Sequence, residues 1–305
     1  MERAVDAVAR TRALGLHFVG HFLGIVGLPP QDGRSRLLLD VEPGAEPGTP
    51  VSPVSLAVVA DLAMGTAIRA HLGAGRRLST VAMTAHYVAA VATGPVTASA
   101  AAPQVGEDGR AFARCELTDH RGALVGAIDA WFVALPAPPG RELAPIPWEL
   151  PEPRVVQPLT IAGMTRAEKG AVDACVAAGR RAATGRTSVV EELIGPSIPE
   201  STGGRVTGEL QIGFAHTNRV GHVQGGVLYG AAALAARRAV AEDMHLAEGH
   251  LQFLAPAHGE SLVVEARATR QGRRTSFTEA RLIVDGGLVG AGTFTFHRLA
   301  DRDGR

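Results

Sequence analysis

The string Leu-Val-Gly-Ala occurs twice, at residues 124–127 and 288–291, and its surroundings recur with it. Each copy follows an alternating run, AFARCELTD in one case and SFTEARLIVD in the other, and each precedes a second, IDAWFVAL or GTFTFHRL. Alternation at period two marks half-buried strands, and Asp-His-Arg-Gly and Asp-Gly-Gly between them are turn chemistry, so both halves are expected to end in an antiparallel hairpin. Upstream of each hairpin lies one long apolar stretch of helical character, residues 55–72 and 227–243. Apolar residues lie nearly all round these helices, which predicts that each is enclosed by other structure. Strand candidates follow them at 79–89 and 248–256, and strand candidates RLLLDVEP and GELQIGFA precede them. The repeated order is helix, strand, loop, long buried helix, then three or four antiparallel strands. Between the copies runs LPAPPGRELAPIPWELPEPRVVQPL, whose prolines fix φ and remove donors, so it is expected to stay extended. The repeat thus divides the 305 residues into a first unit at 1–135, a linker at 136–160 and a second unit at 161–305.

Composition narrows the function. Thirty Lys and Arg balance thirty Asp and Glu, so no chain-wide field attracts nucleic acid or an anionic membrane. Apolar residues at 46% allow a sizeable core without disulfides or metals. Cys115 and Cys175 stand apart with no neighbouring Cys or His cluster, and the N-terminus lacks the apolar core of a signal peptide. A cytoplasmic protein without a membrane span is the expectation. No GxSxG elbow, P-loop or strand–GxGxxG–helix unit occurs. His17 and His21 have the i,i+4 spacing of a helical metal pair, but no third ligand accompanies them, and packing at the N-terminal helix is the better account. No metal site is expected.

The second half contains His216-Thr217-Asn218-Arg219-Val220-Gly221-His222-Val223-Gln224-Gly225-Gly226. This resembles the HxNxxGxxHGG signature of hotdog acyl-CoA thioesterases of the phenylacetate-degradation (PaaI-like) type, with Gln224 where the family usually has His. The resemblance implies an α+β double hotdog, each half a curled antiparallel sheet wrapped around one long central helix. It also implies hydrolysis of an acyl-CoA thioester without a cofactor, coenzyme A being part of the substrate, and a homodimer of the fused unit.

In that family a carboxylate stands nine residues beyond the His of the motif. In the second half that count from Gln224 reaches Ala233, so the acid is missing. Aligning the halves through their helices puts Asp61 at the acid position, while Ser52 and Pro53 replace the Gln-Gly step and Glu46 matches Asn218. Each half keeps what the other lost. Because sites in such dimers are shared across the interface, the resemblance implies one complete site of Asp61, Asn218, Gln224 and Gly225, with Thr80 near the water. The opposite site would be dead.

The residue types suit the chemistry. A carboxylate can activate water or form an acyl intermediate, and a Gly-Gly pair opening a helix presents unobstructed N–H groups to a developing oxyanion. Pro53 has no N–H to offer. Gly226 and His222 are further candidates for the substrate cleft, and Arg273 and Arg274, at a predicted hairpin turn, with Arg76 and Arg77 after the first long helix, are candidates for the phosphates of coenzyme A. The competing expectation is a degenerate hotdog that binds acyl-CoA or an acyl carrier without hydrolysis. A hydratase ranks third, because its Asp/His pair is not found.

Overall fold

Two helices carry the apolar stretches, and a single antiparallel sheet wraps them. A computed structural model of the chain describes residues 1–299 except 16, 41, 46–49, 73–74, 89–93, 138–139, 141–142, 144–145, 147–153, 186 and 199–200. The first half runs α1 (Glu2–Leu14), α2 (Phe18–Phe22), β1 (Ile25–Gln31), β2 (Arg34–Leu39), α3 (Pro53–Leu72), β3 (Arg76–Tyr87), β4 (Val96–Val105), β5 (Arg110–Asp119) and β6 (Leu124–Pro136). The second repeats that order with α4 (Arg166–Thr184), α5 (Val189–Ile194), β7 (Ser201–Thr202), β8 (Arg205–Gln211), α6 (Gly225–Arg238), β9 (Met244–Phe253), β10 (Ser261–Gln271), β11 (Thr275–Val284) and β12 (Gly287–Arg298).

The twelve strands are ordered β1-β2-β4-β5-β6-β3-β9-β12-β11-β10-β8-β7. The strand after each long helix therefore meets its counterpart at the centre, β3 against β9, with Ala82 opposite Gln252 and His86 opposite Glu248. Thr84 and His250 face each other at the middle of this seam, Oγ1 to Nδ1 at 2.8 Å. Burial alternates along β5 and β8 as their sequence does. The edges are blunted: β1 carries Pro29 and Pro30 and is largely exposed, and β7 has two residues.

Helix α3 has the length and hydropathy of a membrane-crossing segment, yet it is buried almost without break from Val54 to Arg69. Its neighbour is α6. A Cβ on Gly226 would lie 2.6 Å from Val58 Cα, and one on Gly230 would lie 2.7 Å from Val54 Cγ1. The two glycines let the helix backbones close on each other, and this crossing sets the N-terminus of α6 beside the middle of α3.

Three expectations change in detail. Helix α6 ends at Arg238, five residues before the 243 boundary, where the Arg237 guanidinium donates to the Glu242 carbonyl. Each half also has a second short helix and an additional strand ahead of its long helix. Of these, α5 opens with a capping box between Ser188 and Glu191. Finally, His17 and His21 do not share one uninterrupted helix with α1. Gly15 ends α1 at φ 75°, His17 stands at the N-cap position of α2 without a side-chain capping bond, and His21 Nε2 lies 2.8 Å from the Gly15 carbonyl. Much of the 136–160 linker lies outside the described residues, but Ile146 within it is buried.

Candidate active site

The 216–226 segment folds as a tight loop delivering into α6. Thr217 and Val223 bridge, Asn218 N–H donates to the His222 carbonyl, and Gly221 takes φ 87°, a left-handed conformation that favours glycine. The Asn218 carboxamide oxygen accepts the N–H groups of Val220 at 3.0 Å and His222 at 3.2 Å. Asn218 therefore shapes the loop and lines the cleft, and among the described residues its amide nitrogen makes no hydrogen bond to Asp61. His216 is buried beneath, its Nδ1 accepting Gly213 N–H at 3.1 Å and its Nε2 lying 3.0 Å from the Leu193 carbonyl. It anchors the loop to α5.

Gln224 caps α6. Its Oε1 accepts Val227 N–H at 2.9 Å, which turns the amide nitrogen outward, and Nε2 donates to Asp61 Oδ2. Thr80, from β3, donates to Asp61 Oδ1 at 3.1 Å, and Gly226 N–H is a further donor to the carboxylate. Asp61, Thr80, Gln224 and the Gly-Gly pair thus converge, although they come from α3, β3 and α6. A Cβ on Gly225 would lie 3.0 Å from Thr80 Oγ1 and 3.2 Å from Asp61 Oδ2, so the glycine keeps the face above the carboxylate open. Among the described residues the Gly225 N–H has no acceptor, as the first turn of a helix leaves such groups unpaired.

Burial pushes the Asp61 carboxyl up to about 6, opposed by the hydrogen bonds from Thr80 and Gly226 and by the charge of Arg69. It is a base that is mostly ionised at neutral pH and still close enough to exchange a proton. Arg69 stands two turns along the same face of α3, buried, with its guanidinium folded back over Gly65, where a Cβ would be 3.3 Å from Nη1.

These residues open on one cavity of about 260 Å³. Its inner wall holds His17, Arg69 and Ile146, all buried. Its rim holds Arg77, Ser79, Arg219, His222 and the segment Leu254–Pro256, which are half-buried or exposed. The rim is tied across the halves by Arg219, which donates to the Arg76 carbonyl at 3.2 Å. His222 packs edge-on against His258 with ring centroids 6.0 Å apart.

The structure does not bring Arg273 and Arg274 to this cleft. They sit in the β10–β11 turn, where Arg298 N–H donates to the Arg274 carbonyl and Arg298 pairs with Met244 at the start of β9. The cleft lies at the other end of β9, beyond Phe253, about 30 Å away at 3.3 Å per residue. The arginines that do reach it are Arg69, Arg77 and Arg219. Arg69 was readable in principle, as an arginine at i+8 from the acid within an apolar helix; Arg219 sat inside the motif.

The equivalent place in the other half is built differently. Ala233 replaces the acid, and α3 begins at Pro53. The buried Glu42 carboxylate accepts Ser52 N–H at 2.8 Å, and Ser52 Oγ donates to Glu191 Oε1 at 3.1 Å. The helix N-terminus there is occupied by the protein's own carboxylates. Glu46, matched to Asn218 by sequence, falls outside the described residues. Among the described residues no three His, Cys, Asp or Glu side chains cluster as a metal site requires.

Residues 215–297 match the family model of the acyl-CoA thioesterase N-terminal domain, a span that takes in the whole loop, α6, β9 to β11 and all but the last residue of β12. No curated protein matches the chain. Among solved structures, a protein of unknown function with a hotdog fold from Alicyclobacillus acidocaldarius superposes over 90% of this chain and 96% of its own, with TM-score 0.51 and 14% identity. A protein assigned as a thioesterase from Novosphingobium aromaticivorans matches over 90% and 100%, with TM-score 0.52 and 18% identity. One assigned as an oleoyl thioesterase from Lactobacillus plantarum matches over 83% and 91%, with TM-score 0.51 and 11% identity. At these identities the likeness establishes the fold, which is the hotdog fold, over most of the chain.

Proposed function

We propose that this chain is an acyl-CoA thioesterase of double-hotdog architecture with one composite site, its acid supplied by the first unit and its oxyanion donor by the second. The observation that carries this reading is the meeting of Asp61, on α3, with the Gln224 cap and the open first turn of α6 at a single cavity. The thioesterase family match over residues 215–297 supports it.

Asp61 takes a proton from water as the water oxygen adds to the thioester carbonyl carbon. The carbonyl oxygen becomes negative and is met by the Gly225 N–H at the positive end of α6. The C–S bond then breaks, and the proton held by Asp61 passes to the departing sulfur, leaving a carboxylic acid and a thiol. Thr80 and Gln224 fix the carboxylate. Gln224 is an amide whose oxygen is already engaged by Val227, so it orients and does not relay protons. Arg77 and Arg219 at the rim meet the phosphates of coenzyme A; of the four arginines the sequence offered for this role, Arg77 lines the cavity, while Arg76, Arg273 and Arg274 do not.

Release of free thiol from a panel of acyl-CoA esters tests the proposal. Wild type should turn over at least one ester, Asp61→Asn should lose about 100-fold or more in kcat/KM, and Glu42→Gln should keep activity. Binding of esters with no thiol release from any of them would instead favour the non-hydrolytic binder.

A further inference from the structure

The buried wall of the cavity sets two polar side chains, His17 and Arg69, among Leu62, Phe132, Ile146 and Leu228, whereas a pocket for a plain alkyl chain needs no such groups. His17 lines it, is about 93% buried, and its Nδ1 has no hydrogen-bond partner among the described residues. An unpaired ring nitrogen in such a place is destabilising unless something else satisfies it. Burial, with the nearby charges of His21, Arg69 and Arg219, drives this imidazole down to about 3, so it is neutral at physiological pH and offers one N–H and one lone pair. Beside it lies Arg69, a buried cation over Gly65.

The geometry orients a ligand. A cavity of about 260 Å³ cannot hold the nucleotide of coenzyme A, which must stay outside the rim of Arg77 and Arg219. The acyl group therefore points inward, its carbonyl at Asp61 and Gly225. Gly65 is one turn from Asp61, about 6 Å along the helix, the reach of roughly four to five carbon–carbon bonds.

We infer that His17 and Arg69 form a specificity pocket for a short acyl group bearing an oxygen function, a carboxylate or a hydroxyl, at the end remote from the thioester. This rests on the thioesterase reading and adds its substrate class. Neither residue touches the reacting atoms.

Three five-carbon esters differing only at the far end test it: glutaryl-CoA, 5-hydroxypentanoyl-CoA and pentanoyl-CoA. At least one oxygenated ester should exceed pentanoyl-CoA tenfold in kcat/KM, mainly through KM. A lead for glutaryl-CoA identifies the Arg69 charge as the main contact, and parity of the two oxygenated esters identifies the neutral His17. His17→Leu should collapse the preference to within about threefold, and His17→Gln should restore part of it. If His17→Leu does not fold, Arg69→Gln serves, lowering the glutaryl-CoA to pentanoyl-CoA ratio. Pentanoyl-CoA matching both oxygenated esters, or an unaltered ratio in these variants, overturns the inference while leaving the hydrolase intact. If none of the three is hydrolysed, calorimetric binding of the same esters decides: a tenfold preference sustains the pocket and equal affinities overturn it, while the wider acyl-CoA panel decides the hydrolase reading separately.

Discussion

Asp61 is the residue on which stability and chemistry conflict. Its pKa is raised from 3.8 to about 6, chiefly by burial. Between those values the folded protein holds a proton that the unfolded chain has released, so the contribution of this group to stability falls as pH climbs from about 4 to about 6 and then stays low. That difference corresponds to about 3 kcal/mol. Asp61→Asn should therefore be more stable than wild type at pH 8, by about 1–3 kcal/mol, with the gap closing below pH 4, as denaturant titration across pH would show. In the proposed mechanism the same group sets the rate. The kcat/KM for thioester hydrolysis should rise through about pH 6 and then level, because the base must be ionised.

At the scale of elements, the glycines of α6 act in different ways. Gly226 permits the crossing with α3, so Gly226→Ala drives a methyl into the Val58 backbone and should lower stability by about 1–3 kcal/mol or more in thermal or chemical unfolding. The start of α3 shows the alternative use of a helix N-terminus. Glu42 fills it, and burial raises its carboxyl above the ordinary range. Glu42→Gln should gain stability relative to wild type as pH rises, since the neutral amide carries no desolvated charge. The closing hairpins were legible in the sequence because their period-two alternation recurs in both halves, and the long helices because each apolar run is too long for a single strand. Helix α2 has only five residues, too few to show a period, and it is α2 that carries His17 to the cavity. Arg273 and Arg274 were correctly placed at a turn, but a repeat in one dimension does not say which end of the sheet a turn occupies. That end is decided by the pairing of β12 with β9.

Across the whole molecule, the sheet and the helix crossing make the halves interdependent. The β3–β9 seam and the α3–α6 contact both join them, and the cavity draws residues from each half and Ile146 from between them. The matched losses, an acid in one half and a glycine pair in the other, were visible in the sequence through the alignment of the two helices. Their convergence was implied only by the family resemblance, since Asp61 and Gln224 are far apart in the chain and meet through the crossing at Gly226 and Gly230. The composite site is tested most directly by thiol release from Gly225→Pro beside Gly225→Ala. Both place a carbon where the glycine has none, both suit the first turn of a helix, and only proline removes the N–H, as Pro53 does in the other half. The proline variant should be about 100-fold or more slower than the alanine variant, the cost of an oxyanion donor. Equal rates in the two would contradict the account.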